Sequence, residues 1–179
     1  MDFRDRLIAL TDVETTGLDA SVYEIIEVGL VVFDQRTFEI KNTLDIKVMP
    51  QHPEVFSPMA MEINGYTKKA WKKSFPLDYV MRLYSEKTVD AMFCSHNVTF
   101  DWSFIEAAFK KTEVVNYMDY HRIDLLTLAW SKLRNTGLER LKMAAVALHL
   151  GIPEEPQPHR AFTGVMTEYE IFKKLLTDY

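Results

Sequence analysis

The sequence is poor in cysteine and in net positive charge, and each shortage excludes a class of protein. A single cysteine, Cys94, stands among 179 residues, which excludes an internal disulfide and a zinc site made of cysteines alone. The formal net charge of −5 excludes a protein that coats nucleic acid through a generally basic surface, whereas an enzyme that handles nucleic acid locally stays open. With 47% hydrophobic residues the chain can bury a core, and its length predicts one domain over residues 1–179.

Long apolar runs are also missing. The charged N-terminal segment is followed by only four apolar residues, Leu7–Leu10, and such a run is too short for a signal peptide or a membrane span. We therefore expect no membrane association. The lone cysteine lies in the apolar run Ala91–Cys94, which predicts a buried thiol in a reducing, cytoplasmic compartment.

The chain does contain short β-type runs followed by helical periodicity. Leu7–Leu10, Tyr23–Phe33 and Phe38–Met49 predict three strands in an antiparallel meander, and Val89–Ser95 predicts a further buried strand. This order predicts an α/β domain with a mixed β-sheet covered by helices. The predicted helices are Ser57–Ile63, Leu77–Lys87, Phe100–Lys111, Ile123–Leu133, Leu138–Leu150 and Ala161–Leu176.

Three acids and one histidine are candidates for chemistry. Asp12 and Glu14 end the first strand two residues apart, so both side chains lie on one face, where a hard divalent cation would relieve their repulsion. Asp101 begins a predicted helix, and His159 precedes another on a proline-rich connection, where a histidine can act as a general base. Taken one at a time, all four are equally explained as strand-end, helix-end or surface groups, and that alternative stays open at this point.

In combination, these residues lie in segments that resemble the DEDDh family of 3′→5′ exonucleases, which includes the proofreading subunit of bacterial DNA polymerase III, ribonuclease T and oligoribonuclease. Thr11–Asp19 is similar to the family's first motif almost residue for residue, Ser95–Asp101 to the second, and His159–Phe162 to the start of the third. The segments keep the family's order over nearly the whole chain. The resemblance implies a ribonuclease-H-like fold, in which a mixed central β-sheet is flanked by helices.

The resemblance also implies roles for individual residues. Asp12, Glu14 and Asp101 would hold two Mg²⁺ or Mn²⁺ ions, and His159 would deprotonate the attacking water. The implied reaction removes nucleoside monophosphates from single-stranded 3′ ends, and we expect a DNA polymerase subunit and a second copy of the chain as partners. The implied substrate contacts are Thr15, Thr16, Gly17, Leu18, His96, Asn97 and Phe100, of which Phe100 is equally well explained as a core residue.

One position departs from the family pattern. The third motif places an aspartate five residues after the histidine, where this chain has Gly164, and a glycine inside a helix costs ~1 kcal/mol relative to alanine. Glu168 follows one helical turn later, but it starts ~6 Å further along the helix axis, so its substitution for the aspartate is not favoured. We therefore predict weakened binding of the second metal and reduced activity. The alternative is a catalytically degenerate nucleic-acid-binding or polymerase-associated module of the same fold.

A local basic segment contrasts with the overall negative charge. Four lysines surround Trp71, and no acid occurs from residue 64 to residue 77. Lysines beside an aromatic ring suit phosphate contact and base stacking. The alternative is a solvated lysine face with Trp71 anchored in the core. The lysines are Lys68, Lys69, Lys72 and Lys73.

Overall fold

The computed structural model describes residues 2–153 and 155–178, and these form five strands and six α-helices, with short 3₁₀ helices at Phe3–Asp5 and Pro53–Val55. The strands are β1 (Leu7–Thr15), β2 (Ile25–Asp34), β3 (Ile40–Lys47), β4 (Met92–Ser95) and β5 (Arg122–Asp124). The helices are α1 (Pro58–Asn64), α2 (Leu77–Lys87), α3 (Val98–Thr112), α4 (Leu125–Leu133), α5 (Met143–His149) and α6 (Ala161–Thr177).

The strands form one mixed sheet in the order β3-β2-β1-β4-β5. β1 pairs antiparallel with β2 and β2 with β3, which confirms the predicted meander. β4 lies parallel to β1 on its other side, and β5 lies parallel to β4. The predicted α/β fold is therefore confirmed, and β1, which carries the first motif, is the central strand.

Each face of the sheet carries its own hydrophobic layer. Ile8 and Leu10 of β1 pack with α4, α5 and α6 on one face, whereas Ala9 packs with α2 and α3 on the other. Because side chains alternate along a strand, Asp12 and Glu14 continue the row of Ile8 and Leu10. Both acids consequently project toward the face that α6 covers.

Helix α6 lies against the sheet at Gly29 of β2. A Cβ at Gly29 would come within 2.1 Å of the Ala161 carbonyl oxygen, so the helix can approach this closely only because the residue is glycine. Gly29 pairs with Asp12 in the β1–β2 register. The close approach therefore fixes the start of α6, which follows the third motif's histidine, over the acidic end of β1.

The structure departs from the sequence expectations between α3 and α6. Residues Arg122–Asp124 form the edge strand β5, a stretch in which the sequence predicts the start of a helix. Asp124 delays that helix because its carboxylate caps α4, accepting hydrogen bonds from two backbone amides of the first turn. The helix predicted over Leu138–Leu150 begins only at Met143, and the Leu141 carbonyl before it bonds instead to the His96 ring, at 2.8 Å.

Two further expectations concern Cys94 and membranes. Cys94 is fully buried in β4 as a free thiol, as its apolar surroundings predict. Among the helices of residues 2–153 and 155–178, none combines the length and the apolar character that a membrane crossing needs.

Candidate active site

The first two acids lie where β1 runs past the end of its parallel neighbour. The last β1 residue paired with β4 is Leu10, so the edge of β1 is open beyond it. There the Val13 amide donates a hydrogen bond to Oδ1 of Asp101, at 3.2 Å. Asp101, in the first turn of α3, is thereby tied to the backbone between Asp12 and Glu14.

Burial and mutual repulsion oppose ionisation of these carboxyl groups. Burial, followed by the charges of Asp101 and Glu168, raises the pKa of Asp12 well above its usual range. Burial and the charge of Glu27 raise the pKa of Glu14 to about 8, and burial raises the pKa of Asp101 to about 7. A divalent cation would offset both costs, because it supplies positive charge and accepts oxygen ligands.

Helix α6 presents Gly164 directly to Asp12. A Cβ at position 164 would lie 2.0 Å from Oδ2 of Asp12, so the Asp12 carboxylate fills the space into which a side chain at 164 would project. Gly164 therefore has a packing role that the sequence does not reveal. The same contact means that a fourth carboxylate at position 164 would require Asp12 to turn aside.

Glu168 is buried one turn further along α6. Its Oε1 accepts a hydrogen bond from the His96 amide at 2.8 Å, whereas its Oε2 has no hydrogen-bond partner among the described residues. Burial and the charge of Asp101 raise the pKa of Glu168 well above its usual range. Since one carboxylate oxygen is used at the second motif, the arrangement does not favour Glu168 as a simple replacement for the aspartate that the resemblance implies at position 164.

His159 is held at the junction of α1 and α6. Its amide donates to the Ile63 carbonyl at 3.1 Å, and both nitrogens of its ring have neighbours. Nδ1 lies 3.0 Å from Oε2 of Glu155, and Nε2 lies 2.8 Å from the side-chain nitrogen of Gln157. The side chain is 37% exposed, so water can reach the ring.

Side-chain hydrogen bonds hold the turn at the end of β1. Asn64 donates its side-chain amide to the Thr15 carbonyl at 3.0 Å, and Oγ1 of Thr15 donates to the Gly17 carbonyl at 2.7 Å. Leu18 projects from the tip of the turn and is 82% exposed. A cleft of about 190 Å³ runs between this turn, α1 and Phe100, and Glu14 contributes to its wall. The structure thus brings most of the expected substrate contacts to one cleft next to the acids.

The remaining expected substrate contacts lie outside that cleft. Thr16 is fully buried, and its hydroxyl accepts a hydrogen bond from the Glu24 amide at 2.9 Å. His96 uses Nε2 to contact the Leu141 carbonyl, and burial lowers the pKa of its ring. Asn97 is exposed at the start of α3 with a positive φ of 69°. Their contact with substrate stays a prediction.

The acids suit divalent metals by their chemistry. Asp12, Glu14 and Asp101 offer only carboxylate oxygens, the ligands that hard cations prefer, and the unpartnered Oε2 of Glu168 is buried beside them. In the parts of the chain that the structure describes, no three His, Cys, Asp or Glu side chains are already arranged to hold a metal ion.

Three further acids lie at the site, and the sequence analysis does not identify them. Glu155 bonds to His159, Glu27 is buried in β2, and Asp124 accepts hydrogen bonds from two amides at the start of α3. A charge within the apolar run of β2 was a usable signal for Glu27. Nothing marks Glu155, because spacing within an irregular loop carries no geometric information.

The basic segment is anchored beside the third motif by its tryptophan. Trp71 is 3% exposed, donates Nε1 to the Ile26 carbonyl at 2.7 Å, and has Lys47 and Arg160 against its ring. Its ring is therefore not free to stack on a base. The lysines around it are exposed to solvent, namely Lys68, Lys69, Lys72 and Lys73.

Known sequences match most of this chain. The exonuclease family model matches residues 10–172. The PolC-type DNA polymerase III of Listeria welshimeri is 32% identical over 126 residues, which are 70% of this chain and 8% of that protein. The PolC-type DNA polymerase III of Thermotoga maritima is 29% identical over 182 residues, which cover 97% of this chain and 12% of that protein. The chain thus spans about a tenth of the length of these relatives.

Solved structures share the fold. E. coli exonuclease I in complex with a dT13 oligonucleotide has a TM-score of 0.82 at 19% identity, covering 96% of this chain and 41% of that one. The nuclease domain of 3′hExo, a DEDDh family member bound to rAMP, has a TM-score of 0.75 at 18% identity, covering 99% of this chain and 94% of that one. These similarities establish the ribonuclease-H-like exonuclease fold.

Proposed function

The chain belongs to the DEDDh exonuclease family, and on this basis we propose that residues 1–179 form one domain that removes nucleoside monophosphates from single-stranded 3′ ends with Mg²⁺ or Mn²⁺. The observation that carries the proposal is the hydrogen bond between Asp101 and the Val13 amide, because it joins the acid of the second motif to those of the first. A buried carboxyl group fixed in this way between two others has a direct use in holding cations.

Each residue has a distinct part in the proposed reaction. Asp12, Glu14 and Asp101 would hold the metals through carboxylate oxygens, and His159 accepts the proton of the attacking water at Nε2. Two divalent ions, when bound, lower the pKa of that water and neutralise charge on the phosphate in the transition state. Gln157, now against Nε2, gives way to the water.

Substrate binding follows from the cleft and the basic segment. The terminal base packs in the cleft beside Leu18 and Phe100, and backbone groups of the turn hold the 3′-hydroxyl. The exposed lysines at residues 68–73 contact phosphates further along the strand.

Gly164 is the reason to expect reduced activity. Four carboxylates match the charge of two divalent ions, whereas three leave the second ion less strongly held. Since the ions act on charge that develops in the transition state, weaker binding of the second ion lowers the rate of the chemical step.

The test uses single strands of DNA and of RNA, labelled at either end, with Mg²⁺ or Mn²⁺. A 3′→5′ exonuclease converts the 5′-labelled strand into a descending ladder and releases a 3′ label at once as a mononucleotide. Asp12→Asn is the strongly impaired control. Release of the 5′ label first, or internal cleavage, would contradict the proposed direction.

A second candidate is a module of the same fold that binds nucleic acid without cutting it. The observation that favours it is the contact of Asp12 Oδ2 with Gly164, because the space of a fourth carboxylate is filled by the first. Strands that are bound but stay full-length with both metals would identify this module. A DNA polymerase subunit is the partner suggested by the PolC-type relatives, and co-purification tests it. A homodimer and a cytoplasmic location stay predictions.

A further inference from the structure

Glu155 lies against the proposed general base. Its Oε2 is 3.0 Å from Nδ1 of His159, and its side chain is only 7% exposed. No role for this glutamate follows from the motifs, since it precedes His159 by four residues in an irregular loop.

The chemistry of the two neighbours fixes which ring nitrogen carries the proton. An ionised carboxylate only accepts hydrogen bonds, so the bond to Glu155 requires a proton on Nδ1 of His159. Gln157 lies against the other nitrogen, with its side-chain NH₂ 2.8 Å from Nε2, and donates to that lone pair. The two contacts therefore agree on one tautomer, with Nδ1 protonated and Nε2 available as a base.

The other oxygen of Glu155 ties this arrangement to the first turn of α6. Oε1 accepts a hydrogen bond from the Thr163 hydroxyl at 2.8 Å and from the Arg160 amide at 3.3 Å. The carboxylate of Glu155 therefore lies at the N-terminus of α6. His159 is thus positioned relative to the helix that carries Gly164.

We propose that Glu155 is a positioning residue that holds His159 with Nδ1 protonated and directs Nε2 toward the water at the scissile phosphate. The role rests on the proposed function of His159 as general base. A carboxylate behind the ring also stabilises the imidazolium that forms when the base accepts a proton. The group acts through His159 and does not touch the reacting atoms.

The test begins with the tautomer of His159, read from ¹⁵N chemical shifts of the imidazole in metal-free protein. Wild type and Glu155→Gln are expected to show protonated Nδ1, because a glutamine carbonyl still accepts the bond. In Glu155→Ala, Nε2 should carry the proton in a large part of the population, since a free imidazole favours that form. Protonated Nε2 in the wild type, or an unchanged tautomer in Glu155→Ala, would overturn the proposal.

A matched variant separates positioning from support of the helix. Thr163→Val removes the hydroxyl bond to Oε1 together with the contact of that hydroxyl with the Arg160 carbonyl at 2.9 Å, and it should leave the tautomer unchanged. If Glu155 merely stabilised the start of α6, Thr163→Val and Glu155→Ala would have the same effect on the tautomer. Glu139→Gln, in an exposed irregular segment, controls for loss of a negative charge elsewhere.

Kinetics supply the second readout. Glu155→Ala should lower kcat by roughly tenfold to a hundredfold with little change in KM, because general-base catalysis contributes about 10²–10⁴-fold in total. Glu155→Gln should recover part of the loss. Equal kcat in wild type and Glu155→Ala would reject the positioning role. If the wild type proves inactive, the proposed function fails, whereas the tautomer measured without metal or substrate still decides whether Glu155 sets the ring.

Discussion

The strand side and the helix side of the candidate site differ in how far local sequence determines them. On the strand side, Asp12 and Glu14 stand two residues apart on the central strand, and the alternation of a strand fixes their direction. On the helix side, an irregular loop carries Glu155 and His159, and α6 offers Gly164 where the resemblance implies an aspartate. The comparison teaches that acids in a regular strand can be located from sequence, whereas those around a helix start depend on packing.

The largest effect on the rate is expected from a substitution on the strand side of the site. Asp12→Asn removes a charged metal ligand at the centre of the acidic group, so the rate should fall by roughly 10²–10³-fold, the loss typical of one stabilising group in a transition state. The initial rate of shortening of a 5′-labelled strand at saturating Mn²⁺ measures it. Glu86→Gln, an exposed acid on α2, should keep the wild-type rate. A nearly unchanged rate in Asp12→Asn would show that this strand-side acid has no part in the mechanism.

A second prediction concerns an acid introduced at position 164, on the helix side of the site. Gly164→Asp should tighten metal binding by about tenfold, or about 1.4 kcal/mol, provided that Asp12 rotates away from the new Cβ. Titration calorimetry with Mn²⁺ measures the affinity, and the strand-shortening assay measures the rate. Gly164→Ala is the matched control, since it adds the same crowding without the carboxylate and should weaken binding. No gain in rate for Gly164→Asp at saturating metal would show that the missing acid does not limit catalysis.

A smaller effect should appear in the stability of the metal-free protein. Folding raises the pKa of Glu14 to about 8 and that of Asp101 to about 7, so the native state binds more protons than the unfolded chain in this range. Stability should therefore be greatest at acidic pH and fall as pH rises from about 4 to about 8. The unfolding midpoint should drop by several degrees, because one kcal/mol corresponds to about 2–4 °C in a domain of this size.

Two comparisons check this pH dependence by thermal unfolding. Mn²⁺ should raise the midpoint most at the alkaline end, because ionised carboxylates bind the metal. Glu14→Gln should flatten the decline, since it removes one group that must give up its proton. A midpoint of the metal-free protein that rises over the same pH range would contradict the assignment of buried, mutually repelling acids.

Most of the fold could be predicted from the sequence, because long periodic segments dominate it. The meander and α6 follow from β-type runs and helical spacing, and the confirmed mixed sheet follows from their order, whereas the central place of β1 is seen only in the structure. The edge strand β5 could not be predicted, because its three residues carry no periodic signal. The late start of α5 could not be predicted either, since it depends on a contact between the Leu141 carbonyl and His96, which are distant in sequence.

For the site, the sequence predicts which residues matter better than it predicts their contacts. The bond from the Val13 amide to Asp101 exists because β4 ends early, and no local pattern encodes that. The sequence does not explain why a glycine stands inside α6 at position 164. The structure explains it by the close approach of Asp12 to the helix. The sequence leaves two interpretations of Trp71, a stacking platform and a core anchor, and its burial decides for the core.

The smallest expected effect concerns the basic segment, which lies outside both sides of the site. Because the Trp71 ring is buried, the segment can contribute charge but not stacking. Each phosphate contact on a single strand contributes about 0.7 to the slope of log affinity against log salt, so Lys72→Gln with Lys73→Gln should reduce that slope by at most about 1.4. Fluorescence anisotropy of labelled single strands in the Asp12→Asn background measures it. Lys132→Gln with Lys173→Gln removes equal charge from a half-buried and an exposed position elsewhere and should leave the slope nearly unchanged. Equal slopes in both double variants would mean that the negative charge of the whole chain, and not this segment, governs how nucleic acid approaches the site.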